Sequence, residues 1–225
     1  MSASEDVGAV LEACRSIVPP EMDSLKGPDG YESVPLCAVD AIFSIGVKYE
    51  GVERVVRRYK EYWSAKGVNA DSIQHTTHDF VREFAGRSDL ADTVFMNRQR
   101  TSTRAGILKA DAVAQLLKTL DELEIQTTSQ LRNHFDDDQV DRAIRCVHGQ
   151  GSGVSAKYLF LLAGVEDAVK PDRMIIRFVS KAVGRRVTPL EAQELVVATA
   201  KELQVTNPLL TPRVLDHIIW NVQRS

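Results

Sequence analysis

Apolar residues recur along most of the chain at the spacing of amphipathic helices. Leu36, Val39, Phe43 and Val47 fall on one helical face. The same spacing is seen in two further sets: Ile175, Phe178, Val179 and Ala182, and Leu215, Ile218, Ile219 and Val222. No run of residues alternates between apolar and polar in the way that a half-buried strand requires. The pattern therefore predicts an all-α fold.

The predicted helices have recognisable starts. Thr188-Pro189-Leu190-Glu191 has the residues of a capping box, with proline at the first helical position. Thr211-Pro212 predicts the start of the last helix in the same way. The acidic run 136–138 predicts another start, because acidic side chains complement the exposed N–H groups there. A long helix is predicted from about Ala105 to Leu120, after a polar, basic loop at 95–104.

The same pattern suggests how the chain is divided. The segment from Pro19 to Pro35 is rich in proline, glycine and acidic residues, which favours a connection. We therefore expect a two-lobed helical fold. One lobe is a helical bundle over 35–164, and the other combines 1–34 with 165–225.

Size and composition exclude several classes of protein. The chain has 225 residues, of which 44% are hydrophobic and 26% are charged, as in soluble globular proteins. No stretch approaches the ~20 apolar residues of a membrane span, and the first residues are acidic rather than basic. The three cysteines, at 14, 37 and 146, have no zinc-site or iron–sulfur spacing. We expect a cytoplasmic protein with no metal, no cofactor and no membrane partner.

The distribution of charge is more informative than its sum. The net charge is −3, which alone does not favour binding to nucleic acid. Between Asp141 and Arg186, however, the sequence contains nine lysines and arginines but only four acidic residues. A locally basic face can bind phosphate even on an acidic protein.

That basic region also contains a glycine-rich turn between two predicted helices, at 147–153. Glycines in such a turn permit positive φ and leave backbone N–H groups exposed at the start of the second helix. The turn therefore predicts a phosphate site made by Gly149, Gln150, Gly151 and Gly153. Two basic residues one turn apart on a later helix can add phosphate contacts or form a solvated helix face. They are Arg173 and Arg177.

Val147, Gly149 and Gly151, followed downstream by Asp172 at the start of a helix, give a specific combination. It resembles the helix-hairpin-helix DNA glycosylase superfamily, which includes endonuclease III and the alkyladenine glycosylases. The resemblance covers most of residues 36–184. It implies a helix-hairpin-helix motif that binds double-stranded DNA, with Asp172 as the catalytic residue. We expect the protein to act as a monomer.

The resemblance also predicts which residues insert into the DNA stack, and the sequence differs from the family pattern at three positions. It places the turn that enters the DNA stack after the first bundle helix, with Ile45, Lys48 and Tyr49 as wedge residues. His148 stands where the family usually has proline, and Gly46 stands where several members carry a polar wedge residue. Bifunctional members have a lysine at the place of Gly153, so the resemblance implies a monofunctional enzyme that uses water.

Two other interpretations stay open at this point. Pro171-Asp172 before an apolar helical run is by itself a good N-cap, a role that is compatible with catalysis. The alternative function is a non-catalytic DNA-structure-binding protein that keeps the hairpin, and a third is a protein-interaction module. The excised base is not specified by the sequence: alkylated purine, mispaired adenine, uracil and modified phage bases all remain candidates.

Overall fold

The computed structural model describes residues 3–19 and 27–224, and in these ranges the chain forms twelve α-helices and no strand. The helices are α1 (Ala3–Arg15), α2 (Val34–Phe43), α3 (Tyr49–Ser64), α4 (Thr77–Phe84), α5 (Leu90–Thr93), α6 (Lys109–Glu122), α7 (Thr128–Asn133), α8 (Asp138–Cys146), α9 (Val154–Leu162), α10 (Arg173–Val183), α11 (Pro189–Gln204) and α12 (Pro212–Arg224). The prediction of an all-α fold is confirmed. None of these helices combines the length and the hydropathy needed to cross a membrane.

The chain divides into two compact units. The bundle unit is Gly30–Gly164 and contains α2 to α9. The terminal unit combines Met1–Asp29 with Val165–Ser225 and contains α1 and α10 to α12. Residues 20–26 of the predicted connection lie outside the described residues.

Helix α2 is the centre of the bundle unit. All ten of its residues are buried, and it packs against α3, α6 and α9. A helix that is apolar on every face is stable only when other helices surround it. Its start is fixed by Ser33, whose hydroxyl accepts a hydrogen bond from the Leu36 N–H at 3.4 Å. The same hydroxyl donates to the Ala70 carbonyl at 2.7 Å.

The end of α2 is held by a buried lysine at the start of α6. The Lys109 ammonium donates hydrogen bonds to the carbonyls of Phe43 at 3.0 Å and Ile45 at 2.7 Å. The last carbonyls of a helix have no partner within it, and Lys109 satisfies two in this region. Burial lowers the pKa of Lys109 to about 8. The turn that follows α2 is therefore fixed from a distant part of the chain.

The predicted helix starts are confirmed at three places, and one is wrong. Thr188 forms the capping box, Asp137 caps α8, and α12 begins at Pro212. The predicted helix from Ala105 instead begins at Lys109 and ends at Glu122. Residues before it are engaged in non-helical bonds, because Thr101 N–H donates to the Ile107 carbonyl and Lys109 N–H to the Gln99 carbonyl. An isolated antiparallel bridge joins Arg100 to Leu108.

The terminal unit has its own apolar core. Its members come from all four of its helices and include Val10, Ile175, Val179, Val196, Leu215 and Ile219. At the edge of this core, the Arg185 guanidinium bonds Asp6 at 2.5 Å and Glu191 at 2.6 Å. Since Asp6 lies on α1 and Glu191 on α11, this pair of bonds joins the N-terminal helix to the C-terminal helices.

A buried histidine makes the stability of the bundle unit sensitive to acid. The Tyr59 hydroxyl and His75 Nε2 lie 2.8 Å apart in an aromatic cluster, and burial lowers the pKa of His75 to about 4. Between about pH 6.5 and about pH 4 the unfolded chain binds a proton that the folded chain does not, so stability falls as the pH falls. His75 contributes up to roughly 3 kcal/mol to this loss.

We expect His75→Gln to flatten this acid dependence, measured as the free energy of unfolding in urea at a series of pH values. The control is His148→Gln, which removes an exposed histidine that makes no ion pair with the described residues, and this variant should leave the slope unchanged. An identical slope in the wild type and His75→Gln would contradict this account.

Candidate nucleic-acid interface and carboxylate

The glycine turn, residues 147–153, joins α8 to α9 in the bundle unit. The Gln150 N–H donates to the Val147 carbonyl at 3.0 Å, and Gly149 between them has φ +86°. A positive φ at this third position is what a type II turn requires. A second bond runs from the Gly153 N–H to the Gln150 carbonyl at 2.9 Å, and Gly153, with φ +74°, caps α9.

The end of this turn leaves two backbone N–H groups without an acceptor among the described residues. Gly151 and Ser152 are exposed, and within the described part of the chain their N–H groups donate no hydrogen bond. They come directly before α9, whose N-terminal end carries partial positive charge. Free N–H groups at such an end can bind an anionic oxygen, and a phosphate oxygen fits this chemistry.

Thr101 packs directly on the backbone at Gly149. A Cβ added at Gly149 would lie 2.5 Å from the Thr101 Cβ, which is closer than side chains approach. A Cβ added at Gly153 would meet the Arg145 guanidinium, whereas at Gly151 no atom lies within 4 Å. Glycine is therefore required at 149 for both its φ and its contact, while 151 has room for a side chain.

The side chain of Gln150 faces inward. The residue is buried, and its Oε1 accepts a hydrogen bond from the Ser155 hydroxyl. Its Nε2 is buried and has no partner among the described residues. Of the four residues predicted as the phosphate site, Gln150 and Gly153 therefore offer no free backbone donor, because their N–H groups bind the carbonyls of Val147 and Gln150.

Basic residues occur on both segments that adjoin the turn, α8 and the loop at 95–104. Arg142 and Arg145 are exposed on α8, and Arg145 also pairs with Asp141 at 2.8 Å. Because Thr101 contacts Gly149, the loop that carries Arg100 and Arg104 lies beside the turn. We call residues 148–152 with Arg104 and Arg142 the glycine-turn surface. It combines backbone donors with cationic side chains.

The predicted wedge residues follow α2 in the bundle unit. Lys48 is exposed and Ile45 is half-buried. The Tyr49 hydroxyl donates to Asp40 Oδ2 at 3.0 Å, so this side chain is engaged within its own unit. The carbonyl of Ile45 is bound by Lys109. The turn between α2 and α3 is therefore fixed by Lys109 at Ile45 and by Asp40 at Tyr49.

Asp40 is a buried carboxylate that the sequence analysis did not single out. The Tyr31 hydroxyl donates to Asp40 Oδ2 at 2.8 Å, and Tyr49 and Tyr158 are hydrogen-bonded to the same carboxyl group. Burial and the charge of Asp40 raise the pKa of all three tyrosines. The available signal was that Asp40 is the one charged residue in an otherwise apolar helix.

Asp172 stands at the start of α10 in the terminal unit. Its Oδ1 accepts hydrogen bonds from the N–H groups of Met174 at 2.8 Å and Ile175 at 3.3 Å. This is the geometry of an N-cap. The Asp172 side chain is half-buried, and its second oxygen, Oδ2, accepts no hydrogen bond from the described residues. One carboxylate oxygen thus orders the helix and the other is available for a ligand.

The two predicted phosphate-binding arginines of α10 differ in their surroundings. Arg173 is exposed. The Arg177 guanidinium donates to Gln223 Oε1 at 2.7 Å and to the Gln223 carbonyl, which ties it to α12. Arg173 is therefore the better placed of the two to contact a ligand without breaking an internal bond.

Asp216 is a second buried carboxyl group that the sequence analysis missed. It lies on α12 with 5% of its surface exposed, and its Oδ1 accepts a hydrogen bond from the Lys170 N–H at 2.9 Å. Burial, and to a smaller extent the nearby charge of Asp172, raises the pKa of Asp216 to about 8. Its burial could have been predicted from its position next to Leu215, within the apolar pattern of the last helix.

No metal site is formed by the residues described. In the ranges 3–19 and 27–224, no three His, Cys, Asp or Glu side chains are grouped as metal ligands would be. The cysteines are free: Cys14 and Cys37 are buried and Cys146 is exposed. Burial raises the pKa of the Cys37 thiol well above its usual value, which makes it a poor nucleophile.

Two glycine-to-alanine variants separate the effect of backbone conformation from that of the Thr101 contact. Gly67 has φ +76° and no atom within 4 Å of an added Cβ, so Gly67→Ala should cost only about 1 kcal/mol of unfolding free energy. Gly149→Ala should cost roughly 2 kcal/mol more, because the new methyl group meets Thr101. Chemical denaturation measures both. Equal losses of unfolding free energy in the two variants would mean that the Thr101 contact does not contribute to stability. In the double variant Gly149→Ala/Thr101→Gly, the additional loss caused by the contact should disappear.

The chain was compared with family models, curated proteins and solved structures. A family model described as a domain of unknown function, DUF8548, matches residues 8–224. No curated protein and no solved structure matches the chain. Because the family model spans almost the entire sequence, the chain belongs to the DUF8548 family.

Proposed function

We propose that the protein is a monofunctional DNA glycosylase of the helix-hairpin-helix type, which hydrolyses the N-glycosidic bond of a flipped base in double-stranded DNA. The observation that carries the proposal is the glycine turn. It presents the free N–H groups of Gly151 and Ser152 at the start of α9, and exposed basic residues occur on the adjoining α8 and loop. Downstream, a partly exposed carboxylate, Asp172, opens α10.

The glycine-turn surface supplies the DNA-binding step. Backbone N–H groups and arginines bind phosphate oxygens without reading the base sequence. Such binding releases counterions, so its affinity falls as salt rises. The target base must then leave the stack to reach a catalytic carboxylate.

Asp172 supplies the chemistry in this proposal. As the bond between the base and C1′ breaks, the base leaves with the bonding electrons and the sugar gains positive charge. The Oδ2 of Asp172, which the helix cap does not use, stabilises that charge and accepts a proton from the attacking water. The water oxygen forms the new bond to C1′. No residue forms a covalent intermediate.

The surroundings of Gly153 support the monofunctional assignment. A bifunctional enzyme of the resembling family carries a lysine at this position. Here the position has φ +74°, and the first side-chain atom would already meet the Arg145 guanidinium. Glycine at this position supplies no amine, so the proposed reaction uses water as the nucleophile.

Base release from duplexes that carry a panel of lesions tests the catalytic role. We expect the wild type to release at least one base, and Asp172→Asn to release it at least about 100-fold more slowly. Asparagine preserves the helix cap, so the variant should fold and bind DNA normally. The control is Asp167→Asn, which removes an exposed carboxylate five residues earlier and should leave the rate unchanged.

Retained release in Asp172→Asn would overturn the assignment of the catalytic residue. Tight DNA binding by both proteins with no release from any lesion would favour a non-catalytic protein that binds DNA structures. Absence of both binding and release would reject the DNA-binding function itself.

A single charged substitution tests the phosphate site. Gly151→Asp fits sterically, because no atom lies within 4 Å of the added Cβ. It places a negative charge at the proposed phosphate position, and we expect DNA affinity to fall by about tenfold or more, with a smaller salt dependence. Gly8→Asp, at an exposed position of α1, is the matched control for net charge. Fluorescence anisotropy at two salt concentrations measures both variants. Equal affinities would place the DNA elsewhere.

A further inference from the structure

The segment that leads into α10 is fastened to the start of α12 at three points. The Glu166 carbonyl accepts a hydrogen bond from the Arg213 N–H at 2.9 Å. The Glu166 carboxylate accepts one from the Thr211 hydroxyl at 2.6 Å. The third point is the Asp216 carboxyl group, which accepts a hydrogen bond from the Lys170 N–H at 2.9 Å. The last of these bonds is the one nearest to Asp172 in sequence.

Lys170 links the two carboxyl groups through its backbone. Its N–H donates to Asp216, and its carbonyl accepts the Asp172 N–H at 2.7 Å. The Asp172 carboxylate then caps α10. A continuous path of hydrogen bonds therefore runs from α12 to the residue that we propose as catalytic.

We propose that Asp216 is a positioning residue for Asp172: its carboxyl group holds the backbone of Lys170 from α12, and with it the start of α10 on which the Asp172 carboxylate stands. This inference rests on the proposed function for its catalytic meaning. The geometry itself does not depend on that function.

The two carboxyl groups also act on each other electrostatically. Asp216 carries its proton at neutral pH because its folded pKa is about 8, a result first of burial and then of the Asp172 charge. The Lys170 N–H and the Lys170 charge act in the opposite direction. Among the described residues, these are the charged groups that bear on Asp216. Above pH 8 a second negative charge forms in the core close to Asp172, and the start of α10 is disturbed.

Two substitutions at the same position separate the hydrogen bond from the ionisation. Asp216→Asn keeps an oxygen that can accept the Lys170 N–H but cannot ionise. Asp216→Ala removes both properties. Asp167→Asn, an exposed carboxylate in the same unit, is the control.

The readout is the NMR titration of the Asp172 side-chain carboxyl carbon, together with hydrogen exchange of the Lys170 amide, on both sides of pH 8. In the wild type and the control we expect a step in the Asp172 signal near pH 8. Asp216→Asn should remove the step and keep the Lys170 amide protected. Asp216→Ala should remove the step and lower the protection by about tenfold or more.

A step that persists in Asp216→Asn would overturn the proposal, and so would full protection of Lys170 in Asp216→Ala. If Asp216→Ala does not fold, the Asp216→Asn titration still decides.

For a lesion that the wild type releases, base release should decline above pH 8 in the wild type but not in Asp216→Asn. Loss of kcat in Asp216→Ala with little change in KM, rescued in Asp216→Asn, is the expected positioning signature. If no lesion is released, the proposed function fails while the titration still tests the coupling.

Discussion

The contact between Thr101 and the backbone of Gly149 is the constraint on which the glycine-turn surface depends. It leaves no space for a side chain at 149, and it presses the loop before α6 against the turn between α8 and α9. The turn can then close through the Gln150 N–H and leave the next two N–H groups facing solvent. The same contact brings the loop that carries Arg100 and Arg104 beside the backbone donors.

Buried polar groups elsewhere in the chain also hold one segment against another. Lys109 binds carbonyls at the end of α2, Asp40 gathers three tyrosine hydroxyls, and Asp216 holds the backbone before α10. Each group is costly to bury and is stabilised by specific hydrogen bonds. Each also joins segments far apart in sequence. Apolar packing supplies most of the driving force for folding, while these groups fix where individual turns and helix ends lie.

The sequence predicted those features that depend on neighbouring residues. The caps of α11 and α12 are local signals, and the turn at Gly149 follows from two glycines after a helix. The start of α6 was predicted too early, because it depends on bonds between the two arms of the loop before it.

Partnerships between distant residues were not predictable. The Lys170 amide and the Asp216 carboxyl group are 46 residues apart, and no periodicity links them. Tyr49 was predicted as a wedge residue because its position follows α2, yet its hydroxyl is engaged by a carboxylate inside an apolar helix. Helix patterns identify faces, but they do not identify which buried polar group on one face meets which partner on another.

A crystal structure of Asp172→Asn bound to duplex DNA would test the central claim, that the glycine turn binds the DNA backbone, most directly. The account predicts a phosphate oxygen within about 3 Å of the Gly151 and Ser152 backbone nitrogens. A duplex that leaves these nitrogens in solvent and binds another surface would contradict it.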